Sequence, residues 1–391
     1  MKKTLLTICL TWMCFSLSAQ KIIDLSGKWS FSIDRQDNGE KEKWFSHTLN
    51  DCINLPGSMP EKLKGDEVTA KTQWTGSLYD SSYYYNPYME KYRKEGNIKF
   101  PFFLTPDKHY VGAAWYQKEV NIPADWKGER ILLFLERPHI ETTVWVNGQK
   151  TGMQNSLCVP HQYDITRYVR PGKCTITIRV DNRIKEINVG PDSHSITDQT
   201  QGNWNGIVGR ICLQTTPKTY FDDIQIYPEP EQKLARVKVV IKGAGITKIK
   251  LSAESFNTDK KHIVPAIQQE IKLNKGVTET EMVLPMGNDM LLWDEFHPAL
   301  YKLKAEVTNG KKTEIKEIQF GMRRFEIKGK WFYVNGRKTQ LRGTVENCDF
   351  PLTGYAPMDV ESWERVFRIC RSYGLNHMRF HSFCPPEAAF I

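Results

Sequence analysis

Residues 358–391 constrain the fold more than any other stretch of the chain. Asp359, just after Pro357, is placed to cap a helix. Apolar residues follow at Val360, Trp363, Val366, Phe367, Cys370 and Tyr373, which predicts one buried helical stripe. Gly374 stands where a left-handed residue closes a helix. Residues 375–381 then read as a strand, with Met378 and Phe380 on one face and Arg379 and His381 on the other. A helix, a short break and a strand with polar residues at its C-terminal end make one step of a (β/α)8 barrel, whose strand ends hold substrates. A complete barrel takes roughly 250 residues. Only residues 323–391 follow the last β-rich region. The chain is therefore expected to be the front part of a longer enzyme, with a smaller terminal segment as the alternative.

The preceding residues carry β signals. Alternation marks residues 27–33, 114–120 and 175–180, and Ile131 to Leu135 form a wholly apolar run expected of a strand buried on both sides. Residues 143–146 lead into Asn147-Gly148, a strong hairpin signal because both residues tolerate positive φ. Many short strands separated by turns predict a jelly-roll β-sandwich over residues 20–217. Lys-faced strands at 235–242, 248–251 and 301–307 predict an immunoglobulin-like sandwich over 218–322, with Pro228 and Pro230 flanking a short linker. A second Val-Asn-Gly hairpin at 334–336 precedes a candidate first barrel strand, 341–347, in the final segment, 323–391.

Residues 1–19 read as a cleavable leader, with Lys2 and Lys3 before an apolar run and Ser18-Ala19 before Gln20. The mature protein is then periplasmic or secreted, without a membrane span. The net charge of +9 is spread along the chain without a dense Lys/Arg run, which argues against a nucleic-acid partner. Of nine cysteines, Cys9 and Cys14 lie in the leader; the other seven show no C-x-x-C spacing, so neither a disulfide framework nor a zinc site is expected, and no cofactor motif occurs.

Two loops invite chemistry. Residues 65–110 look like an insertion dense in aromatics, with Trp74-Thr75-Gly76, Tyr83-Tyr84-Tyr85 and Pro101-Phe102-Phe103. They either stack on sugar faces or pack on one another. Residues 198–211 hold three glycines, four amides and a Trp, a composition for a polar, tightly turning loop. Asp198 is its only carboxylate, either a turn cap or a ligand group. With so little apolar company, its removal is expected to cost little stability.

The order of parts resembles the N-terminal half of glycoside hydrolase family 2, the β-galactosidase and β-glucuronidase group. The stretches that carry the likeness include Trp115-Tyr116-Gln117, Val144-Trp145-Val146-Asn147-Gly148, Asn205-Gly206-Ile207-Val208-Gly209, Phe320-Gly321-Met322-Arg323 and Asn376-His377-Met378-Arg379-Phe380-His381. The resemblance implies a mainly β chain: a jelly-roll sugar-binding domain, an immunoglobulin-like sandwich and the truncated start of a (β/α)8 TIM barrel. It also implies an exo-acting retaining glycosidase working on oligosaccharides or polysaccharides through two glutamates. No segment here matches either glutamate, so both are expected beyond Ile391, and Glu387 is not an equivalent. By the same resemblance Asp198 reaches into the sugar subsite, and Arg379 holds the nucleophilic carboxylate ionised. His381 corresponds to a family histidine, at a spacing of two residues where the family often has three. Glu346 and Asn347 end the first strand and are expected to face the pocket. The rival readings are a non-catalytic carbohydrate-binding module and a structural β-protein.

Overall fold

Strand alternation in the first two hundred residues resolves into two facing antiparallel sheets. The computed structural model describes residues 20–75, 85–99, 102–185 and 193–390; the leader, Gly76, Tyr83, Tyr84 and Pro101 lie outside them. One sheet runs Ile22–Asp24, Gly206–Thr216, Arg130–His139, His161–Asp164, with Gly57–Ser58 also paired to Gly206–Thr216. The other runs Gln149–Asn155, Glu141–Val146, Gly172–Asp181, Ala113–Ile122, Gly27–Asp34, Asp51–Leu55. Inward residues of both, among them Trp29, Phe31, Tyr116, Leu133, Val144, Ile178 and Leu213, form one buried core. The apolar run from Ile131 to Leu135 is buried at every position, as expected. Asn147 and Gly148 take φ of 50° and 76° and join two paired strands through a two-residue turn.

The insertion is tied at its base by the ribbon Asp66–Glu67 with Lys108–His109. Its aromatics divide between the two expectations: Phe102 and Tyr110 are buried, whereas Tyr85, Tyr88 and Phe103 are exposed.

Residues 217–338 form a compact unit of their own. Two long paired strands, Leu234–Ser255 and Ile263–Pro285, are its spine. Both carry a glycine at the Gly243–Gly276 pair, where the register shifts. Before that point Leu234–Ser255 pairs with Tyr220–Glu229, and after it with Tyr301–Asn309, which in turn pairs with Lys312–Phe320. Val237, Val239, Ile241, Ile249, Leu251, Leu303 and Ala305 close one core. The expected linker at Pro228 is corrected. The strand Tyr220–Glu229 runs through Pro228, and Pro230–Gln232 is a 3-10 turn of a tight hairpin. Proline is compatible with strand ends and turns, so two prolines close together do not require an unpaired segment. The second Val-Asn-Gly hairpin forms within the three-stranded sheet Phe325–Lys328, Trp331–Val334, Arg337–Thr339.

Residues 339–391 group with the jelly-roll sandwich, residues 21–216. Gly343–Glu346 and His377–Phe380 pair in parallel, joined through the helix Val360–Ser372. The Ser362 amide donates to Asp359 Oδ1 at 2.8 Å, the expected N-cap. At the other end Gly374, at φ 74°, donates to the Arg371 carbonyl and Leu375 to that of Cys370, a Schellman closure. Of the predicted stripe only Trp363 is buried, against Phe367 and Phe380; Tyr373 is 82% exposed. A single strand pair is narrower than the stripe, so it covers only part of it. Among the described residues no helix is long and apolar enough to cross a membrane.

Candidate functional site

The loop that leads into Gly206–Thr216 is built from its amides. Asn205 donates to the carbonyls of Gly112 and Val180 at 3.0 Å each and accepts from the Tyr116 hydroxyl at 2.8 Å. Asn203 donates to the Asn182 carbonyl at 2.9 Å and meets His139 Nε2 at 3.1 Å. These amides satisfy backbone groups that the strand ends leave open inside the sandwich. Trp204 stacks on His139 at 4.5 Å between ring centroids. Burial lowers the His139 pKa to about 3, so the imidazole is neutral. Gly206, at φ 150°, lies so close to the Gly57–Ser58 strand that a Cβ would stand 2.5 Å from the Gly57 carbonyl oxygen. Ahead of these anchors residues 193–202 close on themselves, with Thr197 donating to Ser193, Gly202 to Thr197 and Gln201 to His194.

One side of this loop grips the insertion. Asp198 is 1% exposed. Its Oδ2 accepts from the Thr75 amide at 2.6 Å, and its Oδ1 stands 3.4 Å from His109 Nε2. Oδ1, His109 Nε2 and Thr75 Oγ1 are all buried without a hydrogen-bond partner among the described residues. Asp198 is thus neither a cap of its own turn nor set in an open loop, and the expected lack of burial around it is corrected. The insertion folds over the loop and supplies the burial that its own composition lacks. Thr75 and His109 also line a cleft of about 800 Å³, with Trp74, Tyr110, Asp34, Arg35, Asp37, Asp66 and Arg183 in its walls.

The other side grips the end of the last strand. Gln201 Nε2 donates to the His381 carbonyl at 2.6 Å, and the His194 and His381 rings stack at 4.7 Å and 7°. Burial pushes the Asp349 carboxyl above its ordinary range, and the neighbouring His194 and His381 imidazoles oppose that shift. The His381 amide donates to the Glu346 carbonyl at 2.8 Å, so both strand ends meet there.

The candidate residues distribute as follows. Glu346, Asn347, Arg379 and His381 lie at the adjoining C-terminal ends of the parallel pair. Arg379 is in register with half-exposed Val345, on the face opposite the helix. Glu346 is in register with Phe380, which packs on Trp363, and its carboxylate turns back to accept from the Cys348 amide at 2.8 Å. Asn347 is exposed. Asp198 lies across the loop that touches His381. Sequence reasoning missed His194 and Asp349, whose roles depend on contacts distant in the chain; Thr75, His109 and Gln201 stand within the two loops that invite chemistry, yet nothing local marks them out. Among the described residues no group of three or more His, Cys, Asp or Glu side chains converges as a metal would require.

Two family profiles match consecutive stretches of the chain, together residues 22–323 apart from Lys218. Residues 22–217 match the sugar-binding domain of the glycosyl hydrolases family 2, and residues 219–323 match a second profile of that family. The chain is similar to a β-galactosidase of Thermoanaerobacter pseudethanolicus, 24% identical over 75% of this chain and 39% of that protein. It is also similar to human β-glucuronidase, 23% identical over 91% of this chain and 53% of that protein. Among solved structures, a Ruminococcus gnavus β-glucuronidase superposes with a TM-score of 0.66 at 18% identity, over 95% of this chain and 57% of that one. A Bacteroides uniformis β-glucuronidase gives 0.68 at 17%, over 95% and 40%. The chain thus spans about half or less of the length of these relatives.

Proposed function

This chain belongs to glycosyl hydrolase family 2, and from that premise we propose that it works within an exported, exo-acting, retaining β-glycosidase that hydrolyses O-glycosyl bonds in carbohydrate catabolism. Because the chain spans about half the length of its relatives, the activity is proposed for the whole enzyme of which these residues form part. Export is supported by the charged and apolar pattern of residues 1–19.

One observation carries the reading. The sandwich loop 193–205 is bonded to the C-terminal end of the parallel strand pair through Gln201, His194 and His381. A sugar-binding sandwich joined to the substrate end of a β-α-β step is what a barrel glycosidase needs when a second domain helps to orient its substrate. The strand pair and its helix are read as the opening step of that barrel, with Arg379 and Val345 facing its interior.

Retaining hydrolysis takes two carboxyl groups about 5 Å apart, one protonating the leaving oxygen and one forming a glycosyl-enzyme. In this reading both come from later strands. Arg379 supplies the positive charge that keeps the nucleophile ionised, His381 shapes the strand end, Glu346 and Asn347 border the pocket, and Asp198 orients the sugar-facing side of the loop.

The test is hydrolysis of nitrophenyl β-D-galactoside and β-D-glucuronide, with the anomeric form of the first-formed product read by NMR. Protein expressed from the uninterrupted coding sequence is expected to release the β anomer. The purified 391-residue chain is expected to be inactive. Inversion, or turnover by the 391-residue chain, would refute the reading.

A further inference from the structure

Three cysteines gather round Arg137, and two of them are placed to react. Cys158 lies in the turn between the strands Gln149–Asn155 and His161–Asp164, and Cys384 follows the strand His377–Phe380. Arg137, on the strand Arg130–His139, donates through Nη1 to the Cys384 carbonyl at 2.8 Å and through Nη2 to that of Pro385 at 3.4 Å. Cys158 reaches the same place. It lines a small cavity of about 50 Å³ with Arg137, Phe383 and Pro386, and its thiol lies against the Cys384 backbone. Both cysteines belong to the unit formed by residues 21–216 and 339–391. No C-x-x-C spacing announces the pair, because its halves come from strands far apart in the chain.

A cysteine that only fills space is buried and inert. Cys348, in the wall of the same cavity, is of that kind, and burial pushes its thiol up to about 12. Cys384 is exposed and Cys158 half-buried. Burial raises the Cys158 pKa, while the Cys384 backbone and the Arg137 guanidinium oppose that rise. Arg137 Nε is buried without a hydrogen-bond partner among the described residues, so part of this cation has no acceptor of its own. A guanidinium beside a thiol favours the reactive thiolate. The Cys384 sulfur is turned toward the Pro385 carbonyl at 3.7 Å, a weak contact whose loss on rotation costs little.

We propose that Cys158 and Cys384 are a modification site, oxidised to a disulfide that straps the sandwich turn to the segment after His381. The exposed Cys384 thiolate attacks a small disulfide oxidant, and one thiol leaves. The Cys158 thiolate then attacks Cys384 Sγ, and the second thiol leaves. The protein gives up two electrons and two protons, and the S–S bond of the oxidant becomes two thiols. The natural setting rests on the export proposed above, where such oxidants persist. The chemistry is tested on purified protein, so the two can fail separately.

The 391-residue chain is reduced, transferred into oxidised glutathione without denaturant, alkylated, digested without reductant and mapped by mass spectrometry. A peptide pair joined through Cys158 and Cys384 is expected. Oxidation should raise the melting temperature by about 4–16 °C, the typical worth of a disulfide in a unit of this size. Cys384→Ser alters only an exposed thiol; it should abolish the linked pair and the rise, and melt where reduced wild type melts. Cys158→Ser should leave Cys384 as a glutathione adduct. The proposal is overturned if wild type gives no linked pair or only a glutathione adduct. It is equally overturned if Cys158 joins Cys348, if Cys384 links two molecules, or if the linked protein melts no higher than the reduced one.

Discussion

Replacing Asp198 tests whether the insertion and the loop are one structural piece. The Thr75 amide donates to Asp198 Oδ2 at 2.6 Å across 123 residues of chain. In Asp198→Ala that buried N–H loses its acceptor. A hydrogen bond to a charged group is worth about 1.5–3 kcal/mol. For a unit of 150–250 residues each kcal/mol moves the melting temperature by about 2–4 °C, so a fall of about 3–12 °C is expected. Asp198→Asn keeps an acceptor for Thr75 and loses only the charge beside His109, so it should fall by less than half as much. The assay is thermal unfolding followed by circular dichroism, with limited proteolysis of residues 65–110 as a second readout. The insertion should become the first segment cut in the Ala variant. A melting temperature within about 1 °C of wild type, or Asn as damaging as Ala, would refute the reasoning.

Two further outcomes are expected. His139 and His161 are buried, with pKa values lowered to about 3 and about 4; the unfolded chain takes up these protons near pH 6.5. Stability should therefore be complete above pH 6.5 and fall as pH drops from there toward 4, by up to about 1.4 kcal/mol per pH unit for each histidine; a urea midpoint that stays flat from pH 7 to 4.5 would contradict this. Gly206→Ala forces a Cβ to within 2.5 Å of the Gly57 carbonyl oxygen, whereas Gly128→Ala meets no atom within 4 Å. The first should cost several kcal/mol and the second about 1 kcal/mol of left-handed strain, and equal urea midpoints would show that the Gly57–Ser58 pairing gives way freely.

What could be read from the sequence is what short-range chemistry dictates. Asp359 and Gly374 mark both ends of a helix because capping is decided within four residues. Asn147-Gly148 and Asn335-Gly336 mark hairpins because positive φ is a property of the residues themselves. Alternation located the strands of both sandwiches because one face of each must be buried. The site was less legible for the converse reason. Nothing near Asp198 signals that Thr75 will supply its hydrogen bond, or that residues 65–110 will bury it. Glu346 has the composition of a pocket carboxylate, yet its partner is the amide two residues on. The helix stripe was read in the right register and its burial was overstated, because periodicity reports which face is apolar and not how much chain is present to cover it.

The loop at 193–205 explains why such distant residues belong to one site. Its own backbone is closed by local hydrogen bonds between residues 193 and 202, and Asn203 and Asn205 fix it to the sandwich. A rigid piece held in this way has two usable sides. Asp198 meets the insertion on one, and His194 and Gln201 meet His381 on the other. The insertion and the strand end are therefore positioned against the same element. A shift at one side cannot be absorbed in the middle without breaking an amide bond inside the sandwich. Reacting groups misplaced by about 1 Å can lose two orders of magnitude in rate. For an enzyme of the proposed kind, amides that never touch the sugar would then govern where it sits. Asn205 is the clearest case, because its three hydrogen bonds hold the strand Ala113–Ile122, at Tyr116 and the preceding Gly112, and the strand Gly172–Asp181, at Val180, to the start of Gly206–Thr216.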